Sequence, residues 1–146
     1  MRVIVQRSKE SNVLVNNKGV GKIDKGLVLL VGFHIEDTKK EVEFIVNKVL
    51  NLRIFDDKDG IMNLSIKDIN GSILSISQFT LYGDTNKGNR PSYQNAMKGY
   101  KAIELYDYFN QLLKEQVNLE QGIFGAEMEV NISNDGPVTI ILDSSK

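Results

Sequence analysis

Cysteine is absent from the 146-residue chain. This excludes disulfides, thiolate metal sites and cysteine nucleophiles, and it fits a reducing compartment. Histidine occurs once, at His34, so a histidine-rich metal centre cannot be assembled. A carboxylate site of the magnesium kind stays open. Any histidine-based triad has to use His34, yet no Gly-x-Ser-x-Gly elbow accompanies it. His34 follows an apolar run ending at Phe33 and reads as a strand-end or surface residue. Gly19-Val20-Gly21 lacks both the dinucleotide fingerprint and a following helix, and no phosphate-loop motif is present. Asp56-Asp57-Lys58-Asp59-Gly60 opens like a calcium loop, but Lys67 stands at the twelfth position where glutamate is needed.

Proline occurs only twice, and the 12 glycines are scattered, so a disordered or linker-rich design is not supported. No apolar stretch reaches the length of a membrane span. Met1 to Arg7 alternates in character, unlike a secretory leader. The cytoplasm is the expected location. A formal net charge of −1 argues against a general nucleic-acid coat. A local patch of Arg7, Lys87, Arg90, Lys98 and Lys101 depends on the fold bringing them together; otherwise these are scattered solvated charges.

The chain has the size and apolar content (41%) of one globular domain with a substantial core, expected over residues 1–146. Arg2–Gln6 reads as a first strand. Asn12–Val15 and Val20–Ile23 flank the turn Asn16-Asn17-Lys18-Gly19. Leu27–Phe33 reads as a central strand. Thr38-Lys39-Lys40-Glu41 has capping-box form, and Val42, Ile45, Val46, Val49 and Leu50 follow at helical spacing. Leu52–Phe55 returns to an extended segment, and Ser72–Phe79 forms the next strand. A polar loop, Gly83–Arg90, leads to Pro91, which can open a helical turn. A long helix is predicted over Tyr100–Val117 with Ile103, Tyr106, Phe109 and Leu113 as its apolar stripe. Gln121–Ala126 connects to strands at Glu127–Ser133 and Pro137–Leu142. Without regular strand–helix alternation, the order predicts an α+β domain.

Two segments carry functional information. Gly136-Pro137 opens the last strand within Asn134-Asp135-Gly136-Pro137-Val138-Thr139. On its residues alone it reads first as a strand start after a turn, and the other reading is a rigid presentation of main-chain carbonyls. Ser77-Gln78-Phe79-Thr80-Leu81 lies where a strand runs into a loop. Its N–H groups can hold a developing oxyanion, Ser77 and Gln78 can position an ester or amine, Phe79 can form an apolar wall, and Thr80 lacks an adjacent base. The other reading is a core strand with polar residues on its outer face.

Together these segments resemble the bacterial-type D-aminoacyl-tRNA deacylases. Asp84-Thr85-Asn86-Lys87-Gly88-Asn89-Arg90-Pro91-Ser92 is similar to the family's loop. Arg53-Ile54-Phe55, Met62-Asn63-Leu64, Phe124-Gly125-Ala126 and Val5-Gln6-Arg7 add agreement along nearly the whole chain. The resemblance implies a compact α+β homodimer with antiparallel and mixed sheets forming a barrel-like core against packed helices. It implies hydrolysis of the ester joining a D-amino acid to the terminal adenosine of tRNA, with action on glycyl-tRNA in some contexts. Gly136 and Pro137 are then a cis dipeptide entering the partner subunit's pocket, facing Ser77, Gln78, Phe79 and Thr80. L-residues are rejected sterically, whereas glycine has no side chain to reject.

Under the same resemblance, backbone N–H groups near Phe79 and Thr80 hold the oxyanion and the terminal ribose 2′-hydroxyl assists. Thr80 is a candidate nucleophile in this family, but the residue pattern favours positioning. Arg7, Lys87 and Arg90 are candidate contacts for acceptor-end phosphates. Phe124, Ala126 and Met128 can support the core or a pocket wall, and core packing is expected to dominate. No metal, organic cofactor, membrane or DNA partner is expected. A non-catalytic tRNA- or RNA-binding homodimer is the alternative, although the aromatic and basic signature of common RNA modules is weak. A purely structural homodimer is a third reading.

Overall fold

The computed structural model describes residues 1–145; Lys146 of the expected domain lies outside them. The chain begins with β1 (Arg2–Ser8), the hairpin β2 (Ser11–Val15) and β3 (Lys18–Ile23), and β4 (Gly26–Gly32). Asn16 and Asn17 turn the hairpin with φ of 51° and 64°, left-handed values that asparagine tolerates better than most residues. Helix α1 (Lys39–Asn51) follows. Its predicted capping box is present: Lys40 N donates to Thr38 Oγ1, and Thr38 N donates to Glu41 Oε2. The five expected apolar residues of α1 are its buried face.

A short hairpin, β5 (Phe55–Asp56) and β6 (Met62–Leu64), precedes β7 (Ser72–Ser77). A 3-10 turn (Phe79–Tyr82), helix α2 (Gly99–Lys114), β8 (Asn118–Gln121), β9 (Glu129–Asn131) and β10 (Asn134–Asp143) complete the order. Strand β8 has no counterpart in the sequence reading, which leaves residues 118–120 between the predicted helix and the connector that opens at Gln121. It is a parallel edge strand with one buried residue, Leu119, so its sequence carries no alternating pattern. On α2 the buried residues are Ala102, Tyr106, Phe109, Asn110 and Leu113. Ile103, expected in that stripe, is exposed, because a stripe through 102, 106 and 113 turns position 103 away. Pro91 opens no helix; it sits beside the Asp84–Ser92 bridge.

The five-stranded sheet has the order β10-β1-β4-β7-β8, and a three-stranded sheet has the order β3-β2-β9. β1 pairs antiparallel with β10 and β4, whereas β4–β7 and β7–β8 are parallel. Alternation along the strands divides the core. Val3, Val5, Leu27, Leu29 and Val31 face α1 and α2, while Val28, Leu74 and Ile76 meet Val13 and Ile23 of the smaller sheet. The result is an α+β stack of helices, sheet and sheet. Both sheets keep open edges, so hydrogen bonding does not close the expected barrel-like core. No helix among the described residues is long and apolar enough to cross a membrane.

Candidate active site

Strand β7 ends at Ser77, two residues earlier than predicted. β4 itself stops at Gly32, so beyond the bond from Gln78 N to Val31 O (2.7 Å) no partner strand remains. The chain then tightens into the 3-10 turn at Phe79. Leu81 N is the first amide to return into that turn, to Gln78 O. The N–H groups of Phe79 and Thr80 precede it and have no carbonyl to bind within the turn. Gly32 permits this arrangement: a Cβ there would stand 2.9 Å from Gln78 O and 3.1 Å from Leu81 Cβ. Arg2 secures the far end. Its guanidinium donates to Leu81 O at 2.8 Å, lies over the Tyr82 ring and pairs with Asp143. Tyr82 is buried beside Asp37 and Asp143; burial and those carboxylates push its hydroxyl pKa well above the ordinary value.

Ser77, Gln78 and Phe79 line a cavity of about 600 Å³. Its other walls come from the segment Tyr93–Ala102 and from Phe124–Met128. Phe124, Ala126 and Met128 all line this wall, so core packing is not their dominant role, although Phe124 and Met128 also pack against the core, Phe124 on Tyr106 with ring centroids 5.7 Å apart. Tyr106 in turn donates to the Ser75 carbonyl of β7 at 2.9 Å, which fastens α2 to the strand that delivers Ser77. Phe79 is exposed at the rim and meets Tyr93 edge-on at 5.1 Å. Gln78 Nε2 donates to Thr80 Oγ1 at 2.6 Å. An amide that donates to a hydroxyl cannot take its proton, so this contact orients Thr80 without activating it.

The residues expected to touch phosphates divide. Lys87 and Arg90 are exposed on the loop closed by the paired backbone bonds of Asp84 and Ser92, and Lys98 lines the cavity. Arg7 does not join them. It is 9% exposed, donates to Ile54 O at 2.9 Å, and lies 3.5 Å from Asp56 and 3.3 Å from Asp135. Its Nε faces Asp135 without hydrogen-bond alignment. The guanidinium is enclosed by these groups as an internal tie, apart from the exposed Lys87 and Arg90.

Gly136 and Pro137 are exposed, and the peptide bond between them is cis. Gly136 has φ of 116°, a value that favours glycine. A Cβ there would meet Arg7 Nη2 at 2.9 Å. Neither residue lines the cavity of its own chain. Among the described residues no cluster of metal-ligating side chains occurs.

The D-Tyr-tRNA(Tyr) deacylase family model matches residues 4–143, nearly the whole chain. The protein belongs to the D-Tyr-tRNA(Tyr) deacylase family. A D-aminoacyl-tRNA deacylase of Thermosipho melanesiensis is 54% identical, the match covering 100% of this chain and 99% of that one. A solved structure described as a c-Myc DNA unwinding element binding protein is 40% identical, with a TM-score of 0.94 over 98% of each chain. A probable eukaryotic D-amino acid tRNA deacylase superposes with a TM-score of 0.83 over 97% of each chain, and its 20% identity speaks to the fold alone. Within the deacylase family frame, sequence reasoning missed Arg2, Gly32 and Tyr93. Gly32 had a signal, a glycine closing an apolar run. Arg2 had none, since its partners lie 79 and 141 residues away.

Proposed function

We propose that this deacylase hydrolyses the ester joining a D-amino acid to the terminal adenosine of tRNA, releasing the amino acid and free tRNA. The observation that carries the reading is the turn that opens at Phe79, a residue of the cavity wall, in a chain of this family; the N–H groups of Phe79 and of the adjacent Thr80 have no partner within that turn. Those groups suit the negative charge that develops on an ester carbonyl under attack. An aminoacyl ester is more reactive than an amide, so orientation and oxyanion stabilisation can supply much of the rate. Ser77 and Gln78 orient the substrate, Phe79 supplies an apolar wall, and the ribose 2′-hydroxyl assists in place of a protein base. Thr80 positions. Lys87 and Arg90 track acceptor-end phosphates without reading sequence.

Gly136 and Pro137 act as the chiral gate of a second copy's cavity. Their exposure outside their own cavity supports this arrangement. So does the unpaired outer edge of β10, where Ile141 is 66% exposed. Fixed carbonyls at the gate exclude an L side chain, and glycyl-tRNA passes because it presents none. Incubation with matched D- and L-aminoacyl-tRNAs in metal-free buffer tests the reading. D-selective ester hydrolysis is expected. Binding without turnover would overturn the enzyme in favour of a tRNA-binding module.

A further inference from the structure

The geometry points to Asn134 as a positioning residue that sets how sharply the enzyme separates D- from L-aminoacyl esters; the inference rests on the function proposed above. β1 and β10 pair Gln6 with Thr139 and then Ser8 with Asn134, so residues 135–138 bulge out opposite Arg7 alone. The ladder is broken there, and the Asn134 side chain replaces it. Its Nδ2 donates to the Arg7 carbonyl at 3.0 Å and to the Val138 carbonyl at 3.1 Å. Its Oδ1 accepts from Thr139 Oγ1 at 3.2 Å and from Gln6 Nε2 at 3.4 Å. A primary amide offers two N–H donors and two lone pairs, and all four are engaged. One side chain thus closes the neck of the Gly136–Pro137 loop and fastens it to β1.

Saturation of this kind fixes the height and angle at which the loop leaves the sheet. A gate built from backbone oxygens rejects by placement, and a displacement of about 1 Å is enough to blunt such a constellation. With the neck released, an L side chain displaces the loop instead of being turned away. A D side chain points elsewhere and gains nothing. Release of Asn134 therefore raises the L rate, whereas a general loss of folded protein lowers both rates together.

Single-turnover hydrolysis of matched D- and L-aminoacyl-tRNA by wild type, Asn134→Ala and Thr139→Val, each with a thermal melt, tests the inference. Asn134→Ala is expected to cut the D-to-L rate ratio by about tenfold through a faster L reaction, the scale of lost hydrogen bonds. Thr139→Val, at an exposed site that loses one of the four contacts, gives a smaller shift in the same direction. An unchanged ratio in folded variants, or equal loss of both rates, overturns the role of Asn134. If Asn134→Ala does not fold, Thr139→Val decides by the same criterion. Failure of the wild type to hydrolyse the D ester overturns the proposed function itself, and this inference with it.

Discussion

The guanidinium of Arg7 lies 3.3 Å from the carboxylate of Asp135, the residue immediately before Gly136. The same side chain donates to Ile54 O and reaches Asp56, so it ties the β5–β6 hairpin to the Gly136–Pro137 loop. Arg7→Ala leaves a buried carbonyl and two partly exposed carboxylates without that partner. It should cost about 1–3 kcal/mol in urea unfolding. The salt dependence of tRNA binding should stay at the wild-type slope, because an internal guanidinium releases no phosphate counterions. The double variant Lys87→Ala/Arg90→Ala should flatten that slope. The opposite pattern would return Arg7 to the surface contact read from sequence.

Thr80 Oγ1 accepts a hydrogen bond from the Gln78 side-chain amide. Thr80→Val should therefore retain most single-turnover ester hydrolysis, with a loss of no more than about tenfold from disturbed orientation. Near-total loss in a variant with an unchanged circular dichroism spectrum and melting curve would assign the hydroxyl a direct chemical role.

Gly32 brings β4 against the Ser77–Thr80 segment. In Gly32→Ala the new methyl meets the Gln78 carbonyl, which is backbone and cannot rotate away. We expect a stability loss of about 1–3 kcal/mol from overpacking, and a kcat reduction larger than the change in KM, because the turn that presents the Phe79 and Thr80 amides is displaced. Unfolding and steady-state kinetics on one preparation check both. An unaltered kcat would separate this turn from the chemistry.

At Asp143, burial works against ionisation, yet hydrogen bonds from the Ser145 side chain and backbone and from Arg2 overcome it and hold the carboxyl at about 2, below its ordinary 3.8. A folded-state pKa below the unfolded value contributes stability that is complete above pH 3.8 and is lost as pH falls through about 2. Wild type should therefore lose stability across that window more steeply than Asp143→Asn, as measured by denaturant titration at each pH. Because Asp143 also restrains the Arg2 that binds Leu81 O, the variant should be somewhat less active at neutral pH as well.

The chain's local physics was legible in its residues. The Thr38–Glu41 capping box, the α1 stripe from Val42 to Leu50 and the continuous apolar run of β4 each specify an element through contacts within a few residues, and each formed as expected. The ordered motifs at Ser77–Leu81 and Asn134–Thr139 also sufficed to recognise the family. Elements without a local pattern were lost: β8 carries a single buried residue, and the strand through Phe79 ended early because its partner did. Contacts across more than a hundred residues were likewise decided only by tertiary structure. Folding turned Arg7 inward onto Asp135, assembled one cavity from Ser77, Tyr93 and Phe124, and left Gly136 and Pro137 exposed outside its lining. Sequence determines which groups are available and what each can do, whereas burial and distance decide which of them remain free to meet a substrate.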